Sequence, residues 1–322
     1  MKFTIGFEKE DKAKLSQYWD EVIDNQQWSE GKFTNIFEDK WSEYNQRQSV
    51  AFSSWGGAAL AALEFFKVRD KTVLCPSNTF MATPLSVVKA GGRVEFVDCN
   101  KTDLCISLDD LRRKIDLFRP AAVWIVHIGG HIAFQTREIV ALCREKGVVV
   151  IEDCAHAHGA SWNGKKAGSW GDAGIYSFYA TKTISTGEGG MLVTDNGDLV
   201  EFAKAYRNYG KFTYEVEGLN YRMSEFTAAV GCIEVDRLDE IVAWKNEYAE
   251  KNLDPKFSNR LRLPYGMTSG YYKYIVFDPI QNSTGKVYDS LCHRIMNKGY
   301  ELPNSDWVAK NHWCVPLYYK GE

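Results

Sequence analysis

No C-x-x-C pair occurs among the eight cysteines of this 322-residue chain. That spacing marks most structural zinc sites, so no metal centre is expected. Cys75, Cys99, Cys105, Cys143, Cys154, Cys232, Cys292 and Cys314 mostly sit in apolar runs, as reduced, buried thiols do. Long hydrophobic runs are missing as well. The longest fall far short of the ~20 residues that span a bilayer. Neither sign of charge dominates: 39 Lys and Arg stand against 42 Asp and Glu, a net charge of −3. That balance gives no electrostatic case for nucleic acid or an anionic membrane surface. No helix-turn-helix segment or basic patch supports a regulator. No G-x-G-x-x-G follows the first expected strand, which removes the usual signal for a nicotinamide oxidoreductase. The opening residues, MKFTIGFEKEDKAK, lack the apolar stretch of a secretory signal, so the expected compartment is the cytoplasm.

The composition is that of a globular chain, with 45% hydrophobic and 25% charged residues. The length suits one large α/β domain with a smaller companion. Aromatic residues reach 14%, with ten tryptophans, enough for stacking surfaces or a subunit interface besides the core.

Apolar periodicity predicts helices over 9–25 and around Ile36, Phe37, Trp41 and Tyr44, an N-terminal arm covering 1–48. A large domain is expected over 49–250. It opens with a strand at 49–53, then Trp55-Gly56-Gly57 and the helix-forming run 58–65. Strands at 72–75, 94–97, 122–127 and 148–152 alternate with helices at 79–89, 107–118 and 136–146. Ser107 and Asp110 are spaced as a capping box. Continuous apolar strands imply burial on both faces, hence a parallel or mostly parallel sheet. Helices follow at 198–206, 224–236 and 241–252. A smaller C-terminal α+β region is expected over 251–322, with a strand at 271–277 and a helix at 287–297.

The stretch 148–194 carries the chemistry. Asp153 ends a core strand, where ligands of open α/β sheets bind. Lys182 follows the apolar run 174–179 and precedes Gly187, Gly189, Gly190 and a further strand at 191–194. A pyridoxal 5′-phosphate (PLP) enzyme needs such a pair. The lysine forms a Schiff base with the cofactor aldehyde, and the carboxylate keeps the pyridine nitrogen protonated. In a low-dielectric pocket the lysine pKa falls, as that chemistry requires. Gly56 and Gly57 put bare backbone N–H groups at a helix N-terminus, a site for phosphate. Phe80 follows a strand end and is placed to stack on a flat ring, though core packing accounts for it equally. His156 lies three residues after Asp153, within reach of a ring hydroxyl or the substrate.

These residues sit in ordered blocks. They are Asp153-Cys-Ala-His156-Ala-His-Gly-Ala160, Gly168-Ser-Trp-Gly-Asp172, Ser177-Phe-Tyr-Ala-Thr-Lys182 and Thr186-Gly-Glu-Gly-Gly190. Cys75-Pro-Ser-Asn-Thr-Phe80 and Gly218-Leu-Asn220-Tyr-Arg222-Met223 complete the set. Together they resemble the DegT/DnrJ/StrS-type sugar aminotransferases over about residues 20–240. The resemblance implies a three-layer α/β/α PLP-dependent transferase of fold type I. It also implies a homodimer with active sites at the subunit interface. It casts Lys182 as the Schiff-base lysine, Asp153 as the pyridinium partner, Phe80 as the ring stacker and His156 as the residue beside the ring oxygen. Gly56, Gly57 and Ser177 become phosphate ligands, and Asn220 reaches the phosphate from the other subunit.

Relatives with His at the lysine position are sugar dehydratases; Lys182 favours transamination. The expected reaction moves an amino group, from glutamate, to a nucleotide-linked keto sugar by a ping-pong route. A PLP-dependent dehydratase or lyase, or an amino-shikimate-type synthase, is the alternative on this fold, and a non-catalytic PLP-binding regulator a more distant one. Three departures stand out: Trp55 and Gly57 where the family has a small polar residue and Thr, Thr183 where Asn is common, and a short C-terminal region.

Overall fold

A strongly buried strand, β4 (Ala122–Val126), lies inside a seven-stranded sheet ordered β1-β9-β8-β5-β4-β2-β3. The computed structural model describes residues 6–211 and 213–320; the expectation of no leader rests partly on residues 1–5, outside that range. In chain order the strands are β1 (Gln48–Phe52), β2 (Thr72–Pro76), β3 (Arg93–Val97), β4, β5 (Val149–Asp153), β6 (Ser161–Trp162), β7 (Lys165–Lys166), β8 (Ala173–Ser177) and β9 (Gly190–Thr194). Then come β10 (Met267–Thr268), β11 (Tyr274–Val276) and β12 (Trp313–Val315). From β3 through β2, β4 and β5 to β8 neighbours run parallel. Only β9, between β8 and β1, runs the other way. The continuous apolar strands therefore mark a mostly parallel sheet with both faces covered.

The covering helices are α1 (Lys9–Asn25), α2 (Lys32–Asn45), α3 (Trp55–Phe65), α4 (Ala82–Lys89), α5 (Leu108–Phe118), α6 (Thr136–Lys146), α7 (Gly197–Tyr206) and α8 (Glu225–Tyr248). Two short ones follow, α9 (Cys292–Ile295) and α10 (Pro303–Lys310). One side of the sheet packs α3 and α7, joining Val50, Phe52, Ala58, Leu63, Trp124 and Ile175 in one core. On the other, α1 and α2 lie on α8. Phe37 and Trp41 are wholly buried there. Gly231 of α8 makes room for them: a Cβ there would stand 2.8 Å from the Phe37 ring. The carboxylate of Glu225, at the start of α8, accepts the N–H groups of Gly31, Phe33 and Thr34 at 2.6–3.0 Å. It thus satisfies the orphan donors that open α2.

Four expectations need correcting. The helices expected at 224–236 and 241–252 are one helix, α8, because Arg237 and Leu238 are buried against its neighbours and keep the spacing unbroken. The capping box at Ser107 is half formed: Ser107 Oγ accepts the Asp110 N–H, but the Asp110 carboxylate accepts the N–H of Asp98 instead. The helix expected at 79–89 begins at Ala82, leaving Phe80 outside it. The helix expected at 287–297 shrinks to α9, while α10, which Pro303 and the polar residues at 304–306 conceal, forms further on. All eight cysteines are free and buried. Among the described residues no helix is long and apolar enough to cross a membrane.

Candidate active site

Successive residues of a strand point to opposite faces, and the last two residues of β5 use both. Glu152 turns inward. It accepts N–H groups from Gly168, Trp170 and Gly171 at 2.7–2.8 Å and meets His127 Nε2 at 2.7 Å. His127 Nδ1 accepts the Ala133 N–H, so its Nε2 carries the proton given to Glu152. Burial by itself would raise the Glu152 pKa; His127 and the amide donors outweigh it and hold the group below the usual value. The loop after β5 is thereby pinned, and Asp153 faces a cavity of about 950 Å³ at the carboxyl ends of the strands.

Asp153 is 5% exposed. Its Oδ1 accepts the indole N–H of Trp55 at 3.1 Å and the Ala155 N–H at 3.1 Å. Its Oδ2 accepts the Thr83 hydroxyl at 2.9 Å. Burial raises its pKa, while the Ala155 and Thr83 donors, Lys182 and His127 restrain the rise. Lys182 comes after β8, on a turn closed by its own N–H to Tyr179 O at 2.9 Å. Its ammonium stands 4.9 Å from the Tyr272 ring centre, in the cavity wall. Burial lowers its pKa to about 8, opposed by Asp153 and reinforced by Lys273. The free amine is therefore far more accessible near neutral pH than at an ordinary lysine.

His156 is buried and lies flat against Tyr272, with ring centres 4.0 Å apart. Tyr288 stacks at 5.7 Å, its hydroxyl 3.4 Å from Nε2. Burial, then the charges of Lys182 and Lys273, push the imidazole pKa well down, so the ring is neutral. Its buried Nδ1 has no hydrogen-bond partner. Phe80 is 67% exposed yet lines the cavity, an aromatic face left open on a concave wall.

The α3 N-terminus forms another wall. Ser54 caps it, accepting the Gly57 N–H at 3.2 Å. Gly190, which opens β9, lets this turn come close: a Cβ there would fall 2.3 Å from Ser54 O. Gly56 and Ser177 line the cavity. Gly57 does not. It lies behind, where an added Cβ would meet the Tyr221 side chain at 3.0 Å, which accounts for glycine in place of Thr. Asn220 is exposed and outside the wall; its Oδ1 accepts the Arg222 N–H at 3.3 Å.

So the chain brings Lys182, Asp153, His156, Phe80, Gly56 and Ser177 together, and leaves Gly57 and Asn220 apart. Sequence reasoning missed Thr83, Lys245, Tyr272, Lys273 and Tyr288, and noted Trp55 only as a departure. Thr83 lies three residues past the Cys75–Phe80 block and seven beyond the end of β2, and that spacing was the available signal. Among the described residues two buried trios carry metal-ligand side chains, Asp103 with Cys105 and His131, and His127 with Glu152 and Cys154. In the second, both His127 nitrogens are already engaged.

The model of the DegT/DnrJ/EryC1/StrS aminotransferase family matches residues 9–258. A GDP-perosamine synthase of Escherichia coli O157:H7 is 32% identical over 259 residues, 78% of this chain and 70% of that protein. A Vibrio cholerae protein of the same name is 32% identical over 243 residues, 73% of this chain and 65% of that one. The solved structure of the aminotransferase TlmJ from Streptoalloteichus hindustanus superposes with a TM-score of 0.88 at 27% identity, covering 96% of this chain and 92% of that one. The three-layer fold, the ordered blocks and these likenesses agree: the chain belongs to the DegT/DnrJ/EryC1/StrS aminotransferase family.

Proposed function

We infer that this protein is a PLP-dependent sugar aminotransferase that takes an amino group from glutamate and gives it to a nucleotide-linked keto sugar. One observation carries the reading: Lys182, with its pKa drawn down to about 8, and the buried carboxylate of Asp153 face one cavity. The residues fit PLP. Phe80 offers an open aromatic face, His156 Nδ1 is a buried nitrogen without a partner, and Gly56, at a helix N-terminus, shares the wall with Ser177 in a place suited to a phosphate.

When bound, PLP supplies an electrophilic aldehyde and an electron-withdrawing ring. The chain's residues then have distinct tasks. The Asp153 carboxylate, oriented by Trp55, Ala155 and Thr83, would hold a proton on the ring nitrogen. Phe80 would offer its face to the ring, and neutral His156 would serve the ring oxygen. Lys182 Nζ would hold the cofactor, and as a free amine it would take the proton from the donor Cα. Tyr272 and Tyr288 cover His156 and keep water from that side.

Asn220, exposed and remote from its own cavity, supports a homodimer in which it reaches the partner's phosphate site. Boundaries at 48/49 and 250/251 and a cytoplasmic location belong to the same proposal. The test is incubation with ¹⁵N-glutamate and a panel of nucleotide-linked keto sugars. Label in the sugar is the expected result. A deoxygenated sugar without label would replace transamination with dehydration.

A further inference from the structure

Lys245 is 6% exposed, yet no acid balances it. It lies on α8 and lines the cavity. Its Nζ donates to Tyr271 O at 3.0 Å. Among the described residues no carboxylate forms an ion pair with it. An ammonium has three donors, and burying it without a counter-charge is costly. Burial lowers its pKa to about 8, and Lys273 adds to the effect.

Lys273 lines the same cavity, with its Nζ 5.2 Å from the Tyr272 ring centre and no acid paired with it among the described residues. Its charge is felt by Lys182, His156 and Lys245 alike, all four lining the same cavity. Lys286, also in the wall, is already occupied: it donates to Lys310 O at 2.7 Å and sits over the Trp313 ring at 3.7 Å. Of the acids in the wall, Asp153 is spoken for by three donors, and neither Glu188 nor Asp289 pairs with these lysines.

We propose that Lys245 and Lys273 form an oxyanion subsite that holds an anionic group of the substrate beside Lys182. The subsite rests on the reading of the cavity as a transamination site and sharpens it. An incoming oxyanion takes up the idle donors of a buried ammonium, and low local dielectric strengthens the contact. Two groups carry that chemistry: the carboxylate of an amino donor and the diphosphate of a sugar nucleotide.

The test uses PLP-loaded protein and two unreactive probes, glutarate and GDP, titrated by calorimetry into the wild type, Lys245→Gln and Lys273→Gln. Lys273 makes no ion pair, so its variant keeps the readout if Lys245→Gln fails to fold. The expected result is a loss of roughly tenfold or more in affinity for one probe in both variants, with the visible absorbance band of bound PLP retained. Loss for glutarate assigns the subsite to the amino donor; loss for GDP assigns it to the sugar nucleotide. Unchanged affinity for both probes overturns the proposal, as does a wild type that binds neither. So does loss of the PLP band from the variants, which would give the lysines to the cofactor phosphate. If the wild type binds a probe but transfers no amino group, the subsite stands and the transaminase reading falls.

Discussion

The indole N–H of Trp55 donates to Asp153 Oδ1 at 3.1 Å, so the first residue of α3 is tied to the last residue of β5. The bond fixes the carboxylate on which the electron-sink chemistry depends, and it explains a bulky aromatic where relatives are expected to carry a small polar side chain. Trp55→Phe keeps most of the packing against Trp124, whose ring centre is 5.5 Å away, and removes the donor. Hydrogen bonds to charged groups contribute about 1.5–3 kcal/mol. A stability loss of that size in urea unfolding is expected, with weaker retention of PLP. No change in either would mean that the bond does not hold Asp153 in place.

The Lys182 amine should titrate near its lowered value of about 8 in the cofactor-free protein. Its ordinary value is 10.5. The folded state therefore binds fewer protons than the unfolded state between those values, and stability rises with pH across that window. NMR of reductively methylated lysines checks this, with Lys182→Arg identifying the resonance. A titration at the ordinary lysine value would contradict the burial of the amine.

Glu152 anchors the loop after β5 through three backbone N–H groups and His127, all in the interior. Leaving a buried hydrogen-bonding group without its partner costs about 1–3 kcal/mol, and more where the group is charged. Glu152→Gln should lose at least that much, measured by urea unfolding. The wild-type contribution is complete above the ordinary glutamate value of 4.5 and is lost as pH falls through the lower native value. The variant should therefore lose the corresponding part of the acid dependence.

Asn220 is exposed and bonded only locally within its own chain, so Asn220→Asp should leave folding intact. A carboxylate beside a phosphate would repel it, and PLP should bind less tightly. Mixing this variant with Lys182→Ala separates two arrangements. If Asn220 serves the partner's site, mixed dimers contain one site free of both changes and activity returns. If it serves its own site, mixing restores nothing.

Asp153 and Lys182 are legible in the sequence because each follows a continuous apolar strand, and strand ends are where an open sheet presents its ligands. The α3 phosphate site is legible in part. A glycine pair before a helix marks the turn, but it does not tell that Gly56 faces the cavity while Gly57 yields its N–H to Ser54. Tyr272 and Lys273 fall in the stretch read as a strand over 271–277, and Tyr288 in the one read as a helix over 287–297; β11 forms only at Tyr274–Val276 and α9 only at Cys292–Ile295, so all three stand outside the regular element and its period does not tell which way they face. Lys245 is hidden for the opposite reason. It lies in a long helix whose polar positions read as solvated, and only the fold of the C-terminal region over it makes it buried.

The most direct measurement is the amino-donor half-reaction alone. PLP-loaded protein is mixed with glutamate in the absence of any sugar, and 2-oxoglutarate is quantified against protein. The expected result is release stoichiometric with intact sites by the wild type and none by Lys182→Ala. No release by the wild type, or equal release by the variant, would contradict the assignment of Lys182 as the amine that carries transamination.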